Sequence, residues 1–422
     1  MHVVVSGSRR NKMEVPIKKQ YFEYLDALRC LAFLAVFYAH TGTIFLGATL
    51  TEAFPLNMWK KFTVYGSYGV NFFFVLSGFL ITYLLLKEKA TRGNISIKNF
   101  YIKRILRIWP VYFLTLFFAT FALPFIISES TYSVLGMTNP VMSTGTFSYF
   151  FFFIGNFYQG LGLGFGSLSI GILWSVCVEE QFYLVWPWIV RWFDLRKLTL
   201  VTVFLISLSL LYKFLWANDR VANYYLPWSV GMDLAFGALL GIFYFAKRQR
   251  HIIIATLATF CASLLVIIST VGFVYIQISG LEFAAQVNII KSTLIEILRL
   301  LKTPLIDCIF MLIVLFYIKE TTIFSTSSKH PIIKFFHLTK KKIGNALIYL
   351  GKISYGLYAY HTTCLMLTVH FLYTSGFLTL NVNRMMFFTV VTLALTLTIL
   401  AAHFSSKLIE KRFLALKDKL GE

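Results

Sequence analysis

Long apolar runs recur along the chain, and they constrain its fold more than any other feature. Many of them reach the roughly 20 residues that an α-helix needs to cross a bilayer. Hydrophobic residues make up 58% of the sequence and charged residues only 14%, a balance that excludes an ordinary soluble enzyme. We predict an all-α, polytopic membrane protein with about ten transmembrane helices. The predicted spans are residues 25–46, 65–86, 109–129, 173–193, 198–216, 227–246, 252–279, 304–318, 353–373 and 385–404.

The net charge of +21 is distributed unevenly between the segments that join these spans. If the N-terminus is cytoplasmic, most of the Lys and Arg residues fall in cytoplasmic segments, which is the positive-inside bias of membrane proteins. The bias accounts for the basic character of the chain without a nucleic-acid partner. We therefore predict that both the N-terminus and the C-terminus are cytoplasmic and that the lipid bilayer surrounds the chain.

Residues 147–157 form an apolar segment that is much shorter than a span of roughly 20 residues. If this segment crossed the membrane, every later loop would change side and the positive-inside bias would disappear. We predict instead that it is re-entrant or interfacial. The chain is then divided into a basic cytoplasmic tail at residues 1–24, a membrane domain at 25–404 and a second basic tail at 405–422.

Small residues in the second predicted span indicate close contact between helices. Gly66, Gly69 and Gly78 lack the side chain that would hold two helices apart. The five cysteines of the chain show no CxxC or metal-ligand spacing, and we interpret them as packing residues rather than as a metal site.

Ionisable side chains inside a membrane are costly, so each one within a predicted span is a functional candidate. Asp26 and Arg29 share a face of the first span, where a local ion pair competes with a ligand contact as the interpretation. His40 follows on the same face about three turns later, with no carboxylate beside it in that helix. A neutral imidazole serves as a general base near neutral pH. We predict a catalytic role for His40, with a packed structural histidine as the alternative.

The stretch LWSVCVEEQFYLVWPW places Glu179, Glu180 and Gln181 side by side in an apolar span. In the predicted topology this span brings the two carboxylates to about the depth of His40. A carboxylate bonded to the second ring nitrogen of His40 would fix its tautomer and stabilise the imidazolium form. Because adjacent helical residues point about 100° apart, we expect only one glutamate to reach His40, and the sequence does not choose between them.

Further candidates lie in three other spans and at the cytoplasmic start of a helix. Arg104 and Arg107 lie three residues apart near the cytoplasmic start of a helix, which suits phosphate binding and also ordinary cytoplasmic anchoring. Ser77 is a candidate donor between helices, and Asp233 is buried among small residues. His361 either faces a channel or bonds a neighbouring helix, and both interpretations stay open.

Seven segments of the chain, taken together and in order, resemble the acyltransferase-3 family of integral-membrane O-acyltransferases. The Arg-to-His spacing of the first span, the SGF stretch and the EEQFY stretch make the combination specific, whereas any one segment is weak. The segments are YLDALRCLAFLAVFYAH, GVNFFFVLSGFLI, YIKRILRIWPVYF, WSVCVEEQFYLVWP, MDLAFGALLG, ISYGLYAYH and IEKRF.

The resemblance implies transfer of an acyl group, often acetyl, from cytoplasmic acyl-coenzyme A to a hydroxyl of an envelope carbohydrate or similar acceptor. By motif, His40 corresponds to the candidate catalytic histidine of the family, and Arg29, Arg104 and Arg107 correspond to its functional arginines. The acyl-CoA is a substrate, so no permanently bound cofactor is implied. The resemblance further implies a single-domain, multi-pass protein of a bacterial cytoplasmic membrane.

Two other classes of protein remain as alternatives. A transporter or flippase for an envelope glycan or lipid-linked intermediate would also hold buried charges, although no internal repeat is visible. A receptor or scaffold would leave His40 and the paired glutamates unexplained. Within the enzyme interpretation, the sequence identifies neither the acceptor nor the length of the acyl group nor the oligomeric state. It also leaves open whether His40 acts as a base or carries the acyl group.

Overall fold

The computed structural model describes nine stretches of the chain, and every regular element in them is helical. These stretches contain α-helices and π-helical turns and no β-strand, which confirms the predicted all-α class. The predicted span at 252–279 lies outside the described residues. The structure describes residues 22–47, 63, 65–134, 144–164, 167–216, 219–246, 301–318, 344–378 and 384–419.

The helices of these stretches are numbered here in chain order. They are α1 (Glu23–Gly47), α2 (Tyr68–Arg92), α3 (Ile97–Phe117, continued by a π-helical turn at Phe118–Ala122 and by Leu123–Ile126), α4 (Glu129–Val134), α5 (Thr144–Phe151), α6 (Gly155–Gly160), α7 (Leu168–Gly171), α8 (Trp174–Trp192), α9 (Leu195–Leu215), α10 (Arg220–Tyr225), α11 (Pro227–Phe245), α12 (Leu301–Ile318), α13 (Asn345–Lys352), α14 (Ser354–Thr374) and α15 (Arg384–Ser405, continued by a π-helical turn at Ser406–Glu410 and by Lys411–Lys419).

Seven helical segments in the described part of the chain are long and apolar enough to cross a membrane. The helices α1 and α14 have 25 and 21 residues, enough for a span in length, but they are not among these seven. The total of about ten spans and the side of each terminus therefore stay predictions. The seven segments are Tyr68–Arg92, Ile97–Ile126, Leu168–Trp192, Leu195–Leu215, Arg220–Phe245, Leu301–Ile318 and Met385–Leu416.

The helix α3 begins before the predicted membrane span at residues 109–129 and includes Arg104 and Arg107, as predicted for the start of this helix. The helix begins at Ile97, because the Oγ of Ser96 accepts a hydrogen bond from the backbone N–H of Asn99 and caps it. An apolar run marks only the part of a helix that lipid surrounds. The polar first turns, which include Arg104, are therefore helical and not part of a loop.

Large apolar side chains cover the outward faces of several helices. On α9, Leu200, Phe204 and Leu211 each expose more than half of their surface, and Phe125 of α3 is 91% exposed. A soluble monomer rarely exposes contiguous apolar surface of this kind, whereas a helix facing lipid does so without cost. The helices α2 and α11, by contrast, lie mostly buried at the centre of the bundle.

The two central helices approach each other through glycine. A Cβ built on Gly78 of α2 would lie 2.0 Å from the carbonyl oxygen of Leu234 in α11. A Cβ built on Gly237 of α11 would lie 2.1 Å from the carbonyl oxygen of Val75 in α2. The backbones of α2 and α11 are therefore in direct contact at a glycine of each helix. This confirms the close approach predicted for Gly78.

The N-terminal end of α2 meets α1 in the same way. A Cβ on Gly69 would lie 2.5 Å from the carbonyl oxygen of Ala32, and one on Gly66 would lie 2.4 Å from that of Ala35. The small residues on both helices hold α1 against α2 along the part of α1 that leads to His40. This contact fixes the position of His40 relative to the core of the bundle.

We expect Gly237→Ala to destabilise the protein, because the added methyl group must force α2 and α11 apart. Overpacking of this kind costs about 1–3 kcal/mol. Gly231 lies on the same helix with no atom within 4 Å of an added Cβ, so Gly231→Ala is the matched control. Thermal unfolding of the purified variants checks this. A Gly237→Ala midpoint equal to that of Gly231→Ala would contradict the packing described.

The segment at 147–157 forms two short helices and not one span. With eight and six residues, α5 and α6 are far shorter than the roughly 20 residues of a span. Phe153 lies between them with a φ of 56°, and this left-handed backbone conformation breaks the helix. The segment therefore does not cross the membrane as a single helix. Its re-entrant or interfacial position stays a prediction.

Candidate active site

A cavity of about 320 Å³ lies between α1, α2, α3, α8 and α14. It follows α2 from Val70 to Leu84, which is about 21 Å along the helix axis at 1.5 Å per residue. The cavity is therefore narrow and long, and its volume is near the lower end for ligand pockets. Its polar lining residues are Asp26, Arg29, Ser77, Arg104, Arg107, Ser175, Glu179, Tyr183, Ser354, Tyr355 and Tyr358.

Helical spacing explains why some of these side chains share the cavity. On α8, Ser175, Glu179 and Tyr183 follow one another at intervals of four residues and therefore lie on one face. On α14, Ser354 and Tyr358 have the same spacing. Sequence reasoning did not single out these serines and tyrosines, since such residues are common in apolar spans. For Ser175 and Tyr183 of α8, the available signal was their position one helical turn before and after Glu179.

Three arginines from two helices, Arg29, Arg104 and Arg107, line the cavity. Arg29 of α1 forms an ion pair with Asp26 at 2.6 Å, so the predicted local pair exists and also faces the cavity. Arg104 lies over the ring of Tyr183, with its guanidinium carbon 5.3 Å from the ring centroid. Arg107 lies one turn later on α3 and keeps exposed surface. Among the residues that the structure describes, neither Arg104 nor Arg107 forms an ion pair with a carboxylate.

The two adjacent glutamates of α8 point into different surroundings, as their separation around the helix requires. Glu179 faces the cavity and accepts a hydrogen bond of 2.6 Å from the Oγ of Ser77. It also lies within electrostatic range of Arg104. Glu180 accepts a hydrogen bond of 3.1 Å from the indole Nε1 of Trp109, and its other oxygen is buried without a partner.

Gln181 connects α8 to the short helices at 144–160. Its Nε2 donates to the carbonyl oxygen of Phe153 at 2.8 Å and to Oδ1 of Asn156 at 2.7 Å. The first of these bonds satisfies the carbonyl of the residue that adopts the left-handed conformation. Gln181 thus has a structural role at this position, and it is not among the residues that line the cavity.

His40 and His361 face each other across the interface of α1 and α14. Nδ1 of His40 lies 3.1 Å from Nε2 of His361 and 3.0 Å from the carbonyl oxygen of Val36. The two rings are 5.0 Å apart between centroids. His361 is fully buried, whereas His40 is partly exposed. Of the two interpretations left open for His361, the structure shows the bond to a neighbouring helix.

The predicted hydrogen bond between a glutamate and His40 is wrong in this structure. Glu179 turns into the cavity towards Ser77, and Glu180 turns towards Trp109, so α8 offers no carboxylate to His40. The place beside Nδ1 of His40 is occupied by the ring of His361. The prediction failed because equal depth in the membrane does not determine which helices are neighbours.

Tyr358 lies between the cavity and the two histidines. Its side chain lines the cavity, and its hydroxyl is 2.7 Å from the Oγ of Ser175. Its ring centroid is 5.6 Å from that of His361 and 6.0 Å from that of Phe73, another residue of the cavity lining. Tyr358 therefore contacts both the arginine-lined cavity and His361.

Asp233 lies apart from this site, at the contact of α2, α11 and α12. It accepts a hydrogen bond of 2.6 Å from Nδ2 of Asn71, and its second oxygen is buried without a partner. Asp307 of α12 is also fully buried and lies close to Asp233. Sequence reasoning did not single out Asp307, although an acidic residue in a predicted span was the available signal. The structure does not bring Asp233 to the cavity.

Comparison with known proteins agrees with the resemblance seen in the sequence. The profile of a family described as an acyltransferase domain matches residues 22–403. An uncharacterized protein of Haemophilus influenzae is 29% identical over 191 residues, which are 42% of this chain and 74% of that protein. No solved structure matches.

Two relatives carry names that describe an activity. The peptidoglycan O-acetyltransferase OatA of Listeria monocytogenes is 30% identical over 170 residues, which are 40% of this chain and 24% of that protein. A putative O-acetyltransferase of Staphylococcus aureus is 28% identical over 173 residues, which are 40% of this chain and 25% of that protein. The chain therefore aligns with about a quarter of the length of each named relative.

Proposed function

Because this chain belongs to the acyltransferase-3 family, we propose that it is a membrane O-acyltransferase with an acyl-coenzyme A as donor. The acyl group, proposed to be acetyl, moves to a hydroxyl of an envelope carbohydrate or a similar acceptor. The observation that carries the proposal is the cavity lined by Arg29, Arg104 and Arg107, whose lining residue Tyr358 contacts His361, the hydrogen-bond partner of His40.

The arginines suit the donor half of this reaction. Coenzyme A carries phosphate groups, which guanidinium groups hold through paired hydrogen bonds. Among the described residues, neither Arg104 nor Arg107 forms an ion pair with a carboxylate, so both guanidinium groups keep donors for a phosphate. The narrow cavity beyond them suits the extended pantetheine arm, which would bring the thioester towards Tyr358. The arginine end is the one that we predict to face the cytoplasm.

Glu179 has a different role in this proposal from the one that the sequence indicated. Three arginines around one cavity repel each other, and a carboxylate among them reduces that repulsion. The hydrogen bond from Ser77 holds the Glu179 side chain in place. We assign Glu179 to shaping the donor site, and Glu180, which bonds Trp109, to supporting α3 against α8.

His40 supplies the acid–base chemistry in the proposed reaction. Its imidazole takes the proton from the acceptor hydroxyl while the oxygen attacks the thioester carbonyl. A carbon–oxygen bond forms, the carbon–sulfur bond breaks, and the proton passes to the coenzyme A thiolate. A positioned general base contributes typically 10²–10⁴-fold to the rate of such a step. Transient transfer of the acyl group to His40 is a second route, which trapping of an acyl-protein separates from the first.

We further propose that residues 25–404 form this acyltransferase domain and that the chain lies in the cytoplasmic membrane of a bacterium. The family match over residues 22–403 and the membrane-length helices support this placement. Similarity to the peptidoglycan O-acetyltransferase of Listeria monocytogenes supports the proposed carbohydrate acceptor.

Titration of the purified, detergent-solubilised protein with acetyl-CoA tests the donor assignment without knowledge of the acceptor. We expect saturable binding that free coenzyme A competes. Dephospho-coenzyme A, which lacks one phosphate, should bind more weakly if the arginines hold phosphate groups. A folded protein that binds neither acetyl-CoA nor coenzyme A would contradict the proposed donor.

A further inference from the structure

The orientation of His361 determines which of its ring nitrogens carries a proton. Nδ1 lies 2.6 Å from the carbonyl oxygen of Tyr358, and a carbonyl oxygen only accepts hydrogen bonds. Nδ1 is therefore protonated. In the neutral ring, Nε2 then carries a lone pair and accepts. The ring is fully buried, with the rings of Phe33 and Phe37 beside it at 6.0 and 6.3 Å, so its orientation is restricted.

This orientation of His361 in turn determines the tautomer of His40. The lone pair on Nε2 of His361 faces Nδ1 of His40 at 3.1 Å, so Nδ1 of His40 is the donor. The same Nδ1 lies 3.0 Å from the carbonyl oxygen of Val36, which is also an acceptor only. Both contacts require a proton on Nδ1. Nε2 of His40 is consequently the unprotonated, basic nitrogen.

We propose that His361 is a positioning residue, which holds the ring of His40 in the tautomer whose Nε2 removes the proton from the acceptor hydroxyl. The inference rests on the proposed function and deepens it, because it assigns a partner to the catalytic histidine. His361 occupies the position that a buried carboxylate has in a Ser-His-Asp triad. A neutral ring avoids the cost of burying a second charge within the membrane.

His361 takes part in the acyl transfer only through its hydrogen bond to His40. The acceptor oxygen bonds to the acyl carbon, the carbon–sulfur bond breaks, and the hydroxyl proton moves to Nε2 of His40. The positive ring then donates from Nδ1 to His361 and to the carbonyl of Val36 without rotating. Nε2 finally gives its proton to the departing thiolate. His361 itself neither gains nor loses a proton in this sequence.

Two substitutions of His361 separate positioning from packing. His361→Leu keeps an apolar side chain of similar size but removes the acceptor, whereas His361→Gln supplies an amide oxygen that accepts from Nδ1 of His40. We expect His361→Leu to lower kcat for acyl transfer about 10–100-fold, less than loss of the base, because Val36 still holds Nδ1. We expect His361→Gln to recover part of that loss. The affinity for acetyl-CoA should stay unchanged in both variants, and this unchanged binding also shows that both variants are folded.

A spectroscopic measurement tests the hydrogen bond independently of any activity. In the full-length protein labelled with [¹⁵N]histidine in lipid bilayers, His40 signals are assigned by their loss in His40→Ala. We expect a protonated Nδ1 and an unprotonated Nε2 in the parent, with a shift towards the opposite tautomer in His361→Leu.

The outcomes of these experiments are distinguishable. A parent protein with the proton of His40 on Nε2 would overturn the inference, as would a His361→Leu variant with unchanged tautomer and unchanged kcat. Equal losses of kcat in His361→Leu and His361→Gln would overturn the positioning role and show that His361 acts through packing. If the parent protein shows the expected tautomer but transfers no acyl group, the proposed function is contradicted. The hydrogen bond between His40 and His361 is then still supported.

Discussion

His40→Ala is expected to lower acyl transfer about 10²–10⁴-fold, the usual contribution of a positioned general base. The variant should still reach the membrane and bind acetyl-CoA, because His40 is not among the residues that line the arginine cavity. Transfer of labelled acetyl groups in membranes with matched amounts of protein measures the loss, and titration with acetyl-CoA measures donor binding.

The matched control for this experiment is His403→Ala. His403 of α15 bonds the hydroxyl of Tyr349 near the surface, so its loss removes an imidazole without reaching the cavity or His361. We expect near-normal transfer by this variant. Comparable transfer by His40→Ala and His403→Ala would contradict the assignment of His40 as the base.

The double variant Arg104→Ala/Arg107→Ala is expected to lose most of its affinity for acetyl-CoA. Hydrogen bonds to charged groups contribute about 1.5–3 kcal/mol each, so loss of two arginine contacts costs about 3–6 kcal/mol. That corresponds to a rise in Kd of about 10²–10⁴-fold. Isothermal titration of the purified protein with acetyl-CoA gives the Kd directly.

A second double variant separates the local site from the net charge. Lys98→Ala/Lys103→Ala removes the same charge from the same helix, α3, at two positions that are not in the cavity lining. We expect its Kd for acetyl-CoA to stay within a few-fold of the parent value. Equal losses in both double variants would mean that general electrostatic attraction, and not a phosphate site at Arg104 and Arg107, holds the donor.

The helical class and the gathering of charged residues were predictable from the sequence. Lipid excludes unsatisfied backbone groups, so long apolar runs have few other folds available. The same cost makes intramembrane charges gather where protein or water surrounds them. Arg29 and Glu179 were each identified on this ground, and the structure places both around one cavity together with Arg104, which the sequence indicated as a candidate for phosphate binding.

The partner of His40 was not predictable, because it depends on which helices are neighbours. His361 is 321 residues away from His40 in the sequence, and no spacing within a helix indicates a contact between α1 and α14. The glutamates of α8 have the right depth but belong to a helix that turns them elsewhere. His361 was identifiable as a candidate only because a buried imidazole requires a hydrogen-bond partner.

The role of Tyr358 in the cavity lining was not predictable either, for a related reason. Its hydroxyl and its ring contact different helices, and its backbone carbonyl accepts from His361. Tyrosine is common in membrane helices, so its type carries no functional signal in a single sequence. Only the tertiary contacts of Tyr358 with Phe73 of α2 and Ser175 of α8 show that it lies between the cavity lining and His361.

The most direct test of the proposed reaction is its stoichiometry in proteoliposomes that contain the purified parent protein. Acetyl-CoA labelled in the acetyl group is supplied together with envelope carbohydrate from which O-acyl esters have been removed by mild alkali. The proposed function predicts one alkali-labile ester on the carbohydrate for each coenzyme A thiol released, and both products about 10²–10⁴-fold lower with His40→Ala. Folded parent protein that leaves both the thioester and the carbohydrate unchanged would contradict it.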